Sequence, residues 1–325
     1  MTMTLPSFRS SANGKEQLMT SICRPKFVVL CALGVLVTLG TAQADPHPAE
    51  TEQVHDKHGS AAEVGRKLSD PTSNVWALFT EFDLTFSDGD LNRGDDRIGG
   101  QMIFQPIMPF PLYGEGKDQW KMITRPTIPL VFSTSVPRRS NEFSNVGGFG
   151  DSTLPMPISP PAGNWILGLG PTFLFPTATR DELGKDQFAI GPTGIFGHKT
   201  KDYTLGVFPQ YYWKVGSTGG QGGRRAINQM NLLYFGFLNL QNAWQIGFNP
   251  TITYDRRQER ENRWNVPVGL LVTKTMAING RPMKFQFGME YSVVHQDDFG
   301  KRFLMKFNVI PVIPGLVENP IFGGG

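Results

Sequence analysis

Few residues in this chain are placed to do chemistry, and most familiar constellations fail on spacing. Asp88, Asp90, Asn92, Asp95 and Asp96 crowd one short stretch. A calcium loop of the EF-hand type wants glycine at its sixth position and a bidentate glutamate at its twelfth. Counted from Asp88, glycine arrives one place late at Gly94, and the twelfth position is Gly99. The stretch therefore reads as a solvated loop, with divalent-bridged contact to lipopolysaccharide as the minor alternative. His47, His55 and His58 lie among acids in a polar segment and read as linker residues rather than metal ligands. His198 and His295 are isolated, and neither is accompanied by a serine signature of the kind a barrel lipase needs. Gly168-x-Gly170 and the run Gly219 to Gly223 lie in no strand–turn–helix unit, so they are not phosphate cradles. The sequence calls for no metal, no cofactor and no catalytic residue.

What remains is a set of charges embedded in apolar runs: Glu81, Asp83, Arg125, Lys284, Glu290 and Lys306. Their neighbours alternate. In the run from Tyr203 to Val215, Tyr203, Leu205, Val207, Pro209, Tyr211 and Trp213 share one parity, and Thr204, Gly206, Gln210 and Lys214 the other. Apolar residues at period two mean a strand with one greasy face. Twelve such runs are read between residues 75 and 310. Long or charged links alternate with short ones, as in a β-meander that crosses a membrane repeatedly. Asn279-Gly280 suits a tight hairpin among the short links. Residues 133–145 are read as one of the long links.

Trp120, Trp165, Tyr203 and Trp244 each open a strand after a short link, and Trp76 opens the first. Such recurrence on one parity is the pattern of an aromatic girdle at a membrane interface. Leu169, Phe248 and Val268 are expected to face lipid, and Gln245 and Gln286 the lumen. A charge facing acyl chains costs about 2–4 kcal/mol for Arg or Lys near the midplane. The embedded charges are therefore expected to face a lumen, and the sheet to close, because an open edge in hydrocarbon leaves backbone groups unsatisfied. Glu81 and Asp83 with Arg125, and Glu290 with Lys284, are paired as a constriction that filters solutes or, equally, as ion pairs that stiffen the lumen. Prolines 106, 126, 129, 171, 192, 209, 250 and 267 fall inside the strands and conflict with central positions in a sheet.

The chain's start is read apart. Arg24 and Lys26 precede an apolar run from Phe27 to Gly40, and Ala42-Gln43-Ala44 offers a small-x-small cleavage site. Residues 1–44 are expected to be a secretory signal peptide, with Met19 as a possible true start. Both cysteines, Cys23 and Cys31, fall within it. So do four basic residues and one acid. The chain's 31 basic and 28 acidic residues then become 27 of each, a formal charge of zero that gives no basis for nucleic-acid binding. Residues 45–74 are expected to be a disordered periplasmic arm, or a plug folded back into the barrel. Residues 311–325 are read as a C-terminal tail.

The stretches GFGDSTLPMPISP (148–160), NWILGLGPTFLFPTAT (164–179), FAIGPTGIF (188–196) and RWNVPVGLLVTK (263–274) resemble a bacterial outer-membrane family. Its label is "meta-pathway of phenol degradation", and it is sometimes misnamed neuromedin U. The resemblance spans roughly residues 71–311. It implies a transporter-like outer-membrane barrel associated with aromatic-compound catabolism, and it carries no catalytic residues across. The chain departs from the usual terminal aromatic strand of such barrels, so the signal for the barrel-assembly machinery is sought at 303–309 or near Phe322.

The expectation is an all-β, closed antiparallel transmembrane barrel of about twelve strands in the bacterial outer membrane. It would meet lipid and lipopolysaccharide outside and pass small solutes, hydrophobic or aromatic among them, inside. The rival readings are a lipase-like barrel hydrolase and a non-conducting structural or adhesive barrel.

Overall fold

The computed structural model describes residues 60–92, 96–139, 142–218 and 225–322. Twelve strands run in a meander: β1 (Trp76–Asp88), β2 (Arg97–Tyr113), β3 (Trp120–Thr124 and Ile128–Arg139), β4 (Glu142–Phe149, Ser152–Pro155 and Ile158–Ser159), β5 (Trp165–Phe175), β6 (Gln187–Lys199), β7 (Tyr203–Ser217), β8 (Asn228–Asn239), β9 (Trp244–Phe248 and Thr251–Asp255), β10 (Trp264–Ile278), β11 (Arg281–Val294) and β12 (Gly300–Ile313). Each pairs antiparallel with its sequence neighbours, and β1 pairs with both β2 and β12, so the sheet closes. Closure satisfies every edge, which an isolated meander cannot do.

The alternation seen in sequence is the alternation of the wall. Leu169, Val268 and Phe196 are exposed on the outer face, whereas Ile166, Phe208 and Leu271 are buried inside. Asn279 and Gly280 both take positive φ, 51° and 75°, and turn β10 into β11 as the Asn-Gly pair required.

Prolines mark the breaks within β3, β4 and β9. Pro126 lies between the two parts of β3, Pro157 between the last two parts of β4, and Pro250 between the parts of β9. Between β2 and β3 the ladder runs Phe104↔Ile128, then resumes at Met108↔Thr124, so Pro106 and Pro126 stand opposite one another. Neither can donate, and that rung is missing. Pro171 and Pro192 are paired directly across β5 and β6. Backbone donors elsewhere bridge the breaks, as where Tyr234 N–H reaches the Pro250 carbonyl at 3.1 Å.

Three expectations change. Residues 133–145 are not a long link: β3 and β4 continue outward, and Arg139 pairs with Glu142. The barrel does not end at residue 310, since Trp76 pairs with Ile313 and Ala77 with Val312. The arm is not wholly disordered. Helix α1 (Ala61–Ser69) folds within it, while residues 45–59, with His47, His55 and His58, lie outside the described residues, as do residues 1–44, the expected signal peptide. Ser60 caps α1 by accepting from Glu63 N–H at 3.3 Å. The Ser60-x-x-Glu63 spacing is that of a capping box.

Candidate functional site

The site is the barrel's interior, built in two levels. The upper level is a chamber of about 280 Å³. Inward positions bring Glu81 and Asp83 from β1, Gln101 and Gln105 from β2, Glu290 from β11 and, on either side of a register shift, Lys301 and Lys306 from β12 to its wall. Arg125 enters from the break in β3. Asp83 accepts from Gln101 Nε2 at 2.8 Å. Arg125 donates to Gln105 Oε1 through Nε (3.1 Å) and a terminal nitrogen (2.5 Å), and its guanidinium lies 5.2 Å over the Phe79 ring. Lys306 and Glu290 form an ion pair that is 5 % exposed on both sides. Glu81 and Lys301 face the chamber with no hydrogen bond or ion pair among the described residues.

Below the chamber the interior turns apolar. Phe208, Phe235, Phe237, Ile166, Ile195 and Leu271 pack as one cluster, against which Leu233 rests. Leu68 of α1 joins Ile107 against Ala77, Phe79 and Ile310. A cavity of about 60 Å³ lies here.

Helix α1 packs against the inner wall at that end, and its segment is called the plug here for its position. Its Gly65 lies so close to β10 that an added Cβ would stand 2.7 Å from Thr275 Oγ1. Ser69 Oγ and Gln245 Oε1 lie 3.1 Å apart, and Thr273 also donates to Gln245 at 3.1 Å. Lys284, fully buried, donates to Ser69 Oγ at 2.6 Å and to the Gly65 carbonyl at 3.3 Å, with its ammonium 4.8 Å from the Phe237 ring. Past the helix, Asp70 accepts from Thr72 N–H (2.9 Å) and Thr72 Oγ1 (2.8 Å) and pairs with Lys199 at 2.5 Å, while Lys121 donates to the Thr72 carbonyl at 2.9 Å. On the helix's open face Lys67 pairs with Glu63 at 2.8 Å and holds that carboxyl below its usual range.

These contacts correct the pairing drawn from sequence. Glu290 is bound to Lys306, not to Lys284, because Lys284 sits six residues lower on β11 and meets the plug. Arg125 is held by Gln105 rather than by a carboxylate. Gln245 and Gln286 face inward, but both are locked. Gln245 binds the plug, and Gln286 accepts from Asn308 at 2.9 Å, so neither is a free lumen position. The plug's anchors Ser69, Lys121, Lys199, Thr273 and Thr275 were not foreseen. The capping box was the one local signal that a helix begins at residue 60.

Among the girdle candidates, Trp165, Tyr203 and Trp244 are exposed on the outer face at the plug end. Trp120 stacks on Tyr113 with ring centres 5.4 Å apart. Trp76 differs: it is 4 % exposed, set edge-on to Phe110 at 5.2 Å, with Gly315 of the tail beside it. The tail crosses here, and Ile321 and Phe322 donate to the Pro111 and Leu112 carbonyls. A second aromatic set lies at the opposite end, with Tyr211 beside Trp213 (4.8 Å) and Tyr254 beside Trp264 (4.5 Å). Of the histidines in the barrel, His198 meets the Tyr203 hydroxyl at 3.0 Å, and His295 meets the Gln296 carbonyl at 2.9 Å and Asp88 at 3.8 Å.

No family model matches the chain, and no curated protein matches it. Two solved structures align with it. The crystal structure of the COG4313 outer membrane channel from Pseudomonas putida F1 aligns over 74% of this chain and 96% of its own, at 11% identity and a TM-score of 0.58. The CymD monoaromatic hydrocarbon channel aligns over 78% of this chain and 91% of its own, at 7% identity and a TM-score of 0.36. The first likeness is one of fold.

Proposed function

We propose that this protein is a bacterial outer-membrane channel for passive passage of small solutes, hydrophobic or aromatic among them, and that α1 closes it at rest. One observation carries the reading: a separate helix is held inside one end of the barrel through side-chain hydrogen bonds, next to a chamber that stays open. A purely structural barrel needs no chamber, and a filled core needs no plug. The outer face is apolar between two aromatic sets, which suits a bilayer flanked by lipopolysaccharide. The shared fold with an outer membrane channel supports the same reading, as does the resemblance to the phenol-degradation family.

The test uses the absence of cysteine from the sequence after Cys31. A Cβ at Gly65 would lie 3.3 Å from the Thr275 Cβ, close to the span a disulfide bridges. In planar bilayers, Gly65→Cys with Thr275→Cys is expected to stay closed when oxidised and to conduct in discrete steps once reduced and Lys284→Glu is added. Liposome swelling with phenol-sized neutral solutes should follow the same order. If a folded, inserted protein lacking residues 60–74 neither conducts nor admits such solutes, the channel reading is wrong.

A further inference from the structure

The polar chamber and the apolar cavity below it meet at a shared neck. Phe79, Arg125, Phe208, Leu233 and Asn249 line both. Charge and apolar surface therefore adjoin at one level, and Arg125 stands there. Gln105 Oε1 takes two of its five N–H groups, one on Nε and one on a terminal nitrogen. The other three have no hydrogen bond among the described residues. Glu81 stands farther up the same wall. Phe79 pairs with Gln105, and Glu81 with Ile103. Arg125 is tied to the lower of these rungs twice, through Gln105 and over the Phe79 ring. Two residues along a strand advance about 7 Å. Glu81 and Arg125 are thus offset along the wall, and no ion pair joins them among the described residues. One small molecule can span the gap.

The charge balance of the chamber says what kind of molecule that is. Three acids, Glu81, Asp83 and Glu290, face three bases, Arg125, Lys301 and Lys306. A lone carboxylate seated on Arg125 would bring its charge toward Glu81 and Asp83. A lone ammonium seated on Glu81 would bring its charge toward Arg125. Either adds an uncompensated charge to an interior that is neutral as built, and such a charge is costly away from water. A solute that carries both groups close together adds none, and it gives Glu81 and Arg125 each a partner of opposite sign.

We infer that the chamber binds an aliphatic α-amino acid, with its ammonium on Glu81, its carboxylate on Arg125, and its side chain in the apolar cavity among Phe208, Leu233, Phe235 and Phe237. The inference rests on the interior being the solute path proposed above, and it names the solute. Cavity size selects the side chain. An apolar cavity of about 150 Å³ holds benzene. The one below the neck measures about 60 Å³, which suits a branched aliphatic group better than a ring.

The experiment is isothermal titration calorimetry of the full-length protein in mild detergent with four probes. Leucine carries both charges and the side chain. The compound 4-methylpentanoate lacks the ammonium, 3-methylbutylamine lacks the carboxylate, and glycine lacks the side chain. Leucine is expected to bind about tenfold more tightly than any of the other three. Glu81→Gln should weaken leucine about tenfold and leave 4-methylpentanoate no weaker. Arg125→Gln should weaken leucine as much and leave 3-methylbutylamine no weaker. Leu233→Trp, which fills the neck, should bring leucine down to glycine, while Leu169→Trp on the outer wall should change nothing. Heat-shifted gel mobility establishes that each variant is folded, and the probe series on the wild type decides the matter if one is not. Absence of leucine binding overturns the inference, as does equal binding of leucine and either singly charged analogue. Neither result touches the channel reading, which stands or falls on conductance. A protein that binds leucine as expected but never conducts once residues 60–74 are removed overturns the channel reading alone.

Discussion

The barrel wall has two unlike halves. From β10 through β11 and β12 to β1 the ladders are long: the pairing of β10 with β11 runs without a break from Pro267 to Ile278, and thirteen pairings tie the two strands. Pro282 and Pro311 sit only at the plug-end rim. From β2 to β9 the wall is punctuated by Pro106, Pro126, Pro157, Pro171, Pro192, Pro209 and Pro250. The inward faces differ in the same way. The continuous half carries Glu81, Asp83, Lys284, Glu290, Lys301 and Lys306, whereas the punctuated half carries Ile166, Ile195, Phe208, Phe235 and Phe237, with Arg125 as its main inward charge. The pairing explains the association. A buried charge needs its partner at a fixed register, as Glu290 on β11 and Lys306 on β12 show, and a missing rung would let that register slip. Apolar side chains pack without such directional demands, so they tolerate a broken ladder.

The strongest test of this contrast is to remove one partner on the continuous half. Lys306→Ala leaves the Glu290 carboxylate buried and uncompensated, and is expected to cost about 3–5 kcal/mol in urea unfolding from detergent micelles. Replacing both, as Lys306→Met with Glu290→Leu, should recover most of that loss. If the single and double variants are equally unstable, the pair is not what the continuous ladder protects. On the outer face of the punctuated half, Leu169 is 73 % exposed. Leu169→Lys is expected to cost about 2–4 kcal/mol in lipid. Insertion into bilayers at wild-type yield would mean that this face does not meet acyl chains.

The sequence made the wall legible because a strand's faces alternate and that alternation survives in single runs. All twelve strands, the closure and the Asn279-Gly280 turn followed from it. What stayed hidden was contact between elements far apart in the chain. Nothing local says that Lys284 meets Ser69, 215 residues away, rather than Glu290 on its own strand. The two residues share an inward parity, but parity fixes the face and not the height. Height is set by register and shear, which place Glu290 beside Lys306 and Lys284 beside the plug. The hydrophilic composition of residues 60–74 also concealed α1. A helix lodged among inward polar groups needs fewer apolar residues than one on a core, and Val64 and Leu68 suffice.

The prolines sharpen the comparison at lower cost. Arg125 and Thr127 donate toward β4, to the Pro155 and Thr153 carbonyls at 3.4 Å and 2.8 Å. The position between them therefore points its nitrogen toward β2 and the Pro106 carbonyl. Pro126→Val supplies the missing N–H there, and should stabilise the barrel by about 0.5–1.5 kcal/mol in the same unfolding assay. A loss of stability would show that the break itself, and not the absent donor, shapes this part of the wall.

The smallest effect separates charges that are cancelled from charges that are not. Lys306 and Glu290 neutralise one another, whereas Asp83 and Arg125 are held by the neutral amides of Gln101 and Gln105, and Glu81 and Lys301 face the chamber unpaired. Only the second group should leave a net field in a conducting lumen. With the plug released, reversal potentials in a salt gradient are expected to move toward anions for Glu81→Gln with Asp83→Asn, and toward cations for Arg125→Gln. Each shift should correspond to a change of about two- to fourfold in the permeability ratio, under about 1 kcal/mol. Glu290→Gln with Lys306→Met should leave the ratio unchanged, because the dipole it removes carries no net charge. If that double variant shifts selectivity as much as the others, the Lys306–Glu290 pair does not cancel its own field in the lumen. If none of the variants shifts it while current still flows, ions take a path that these side chains do not line.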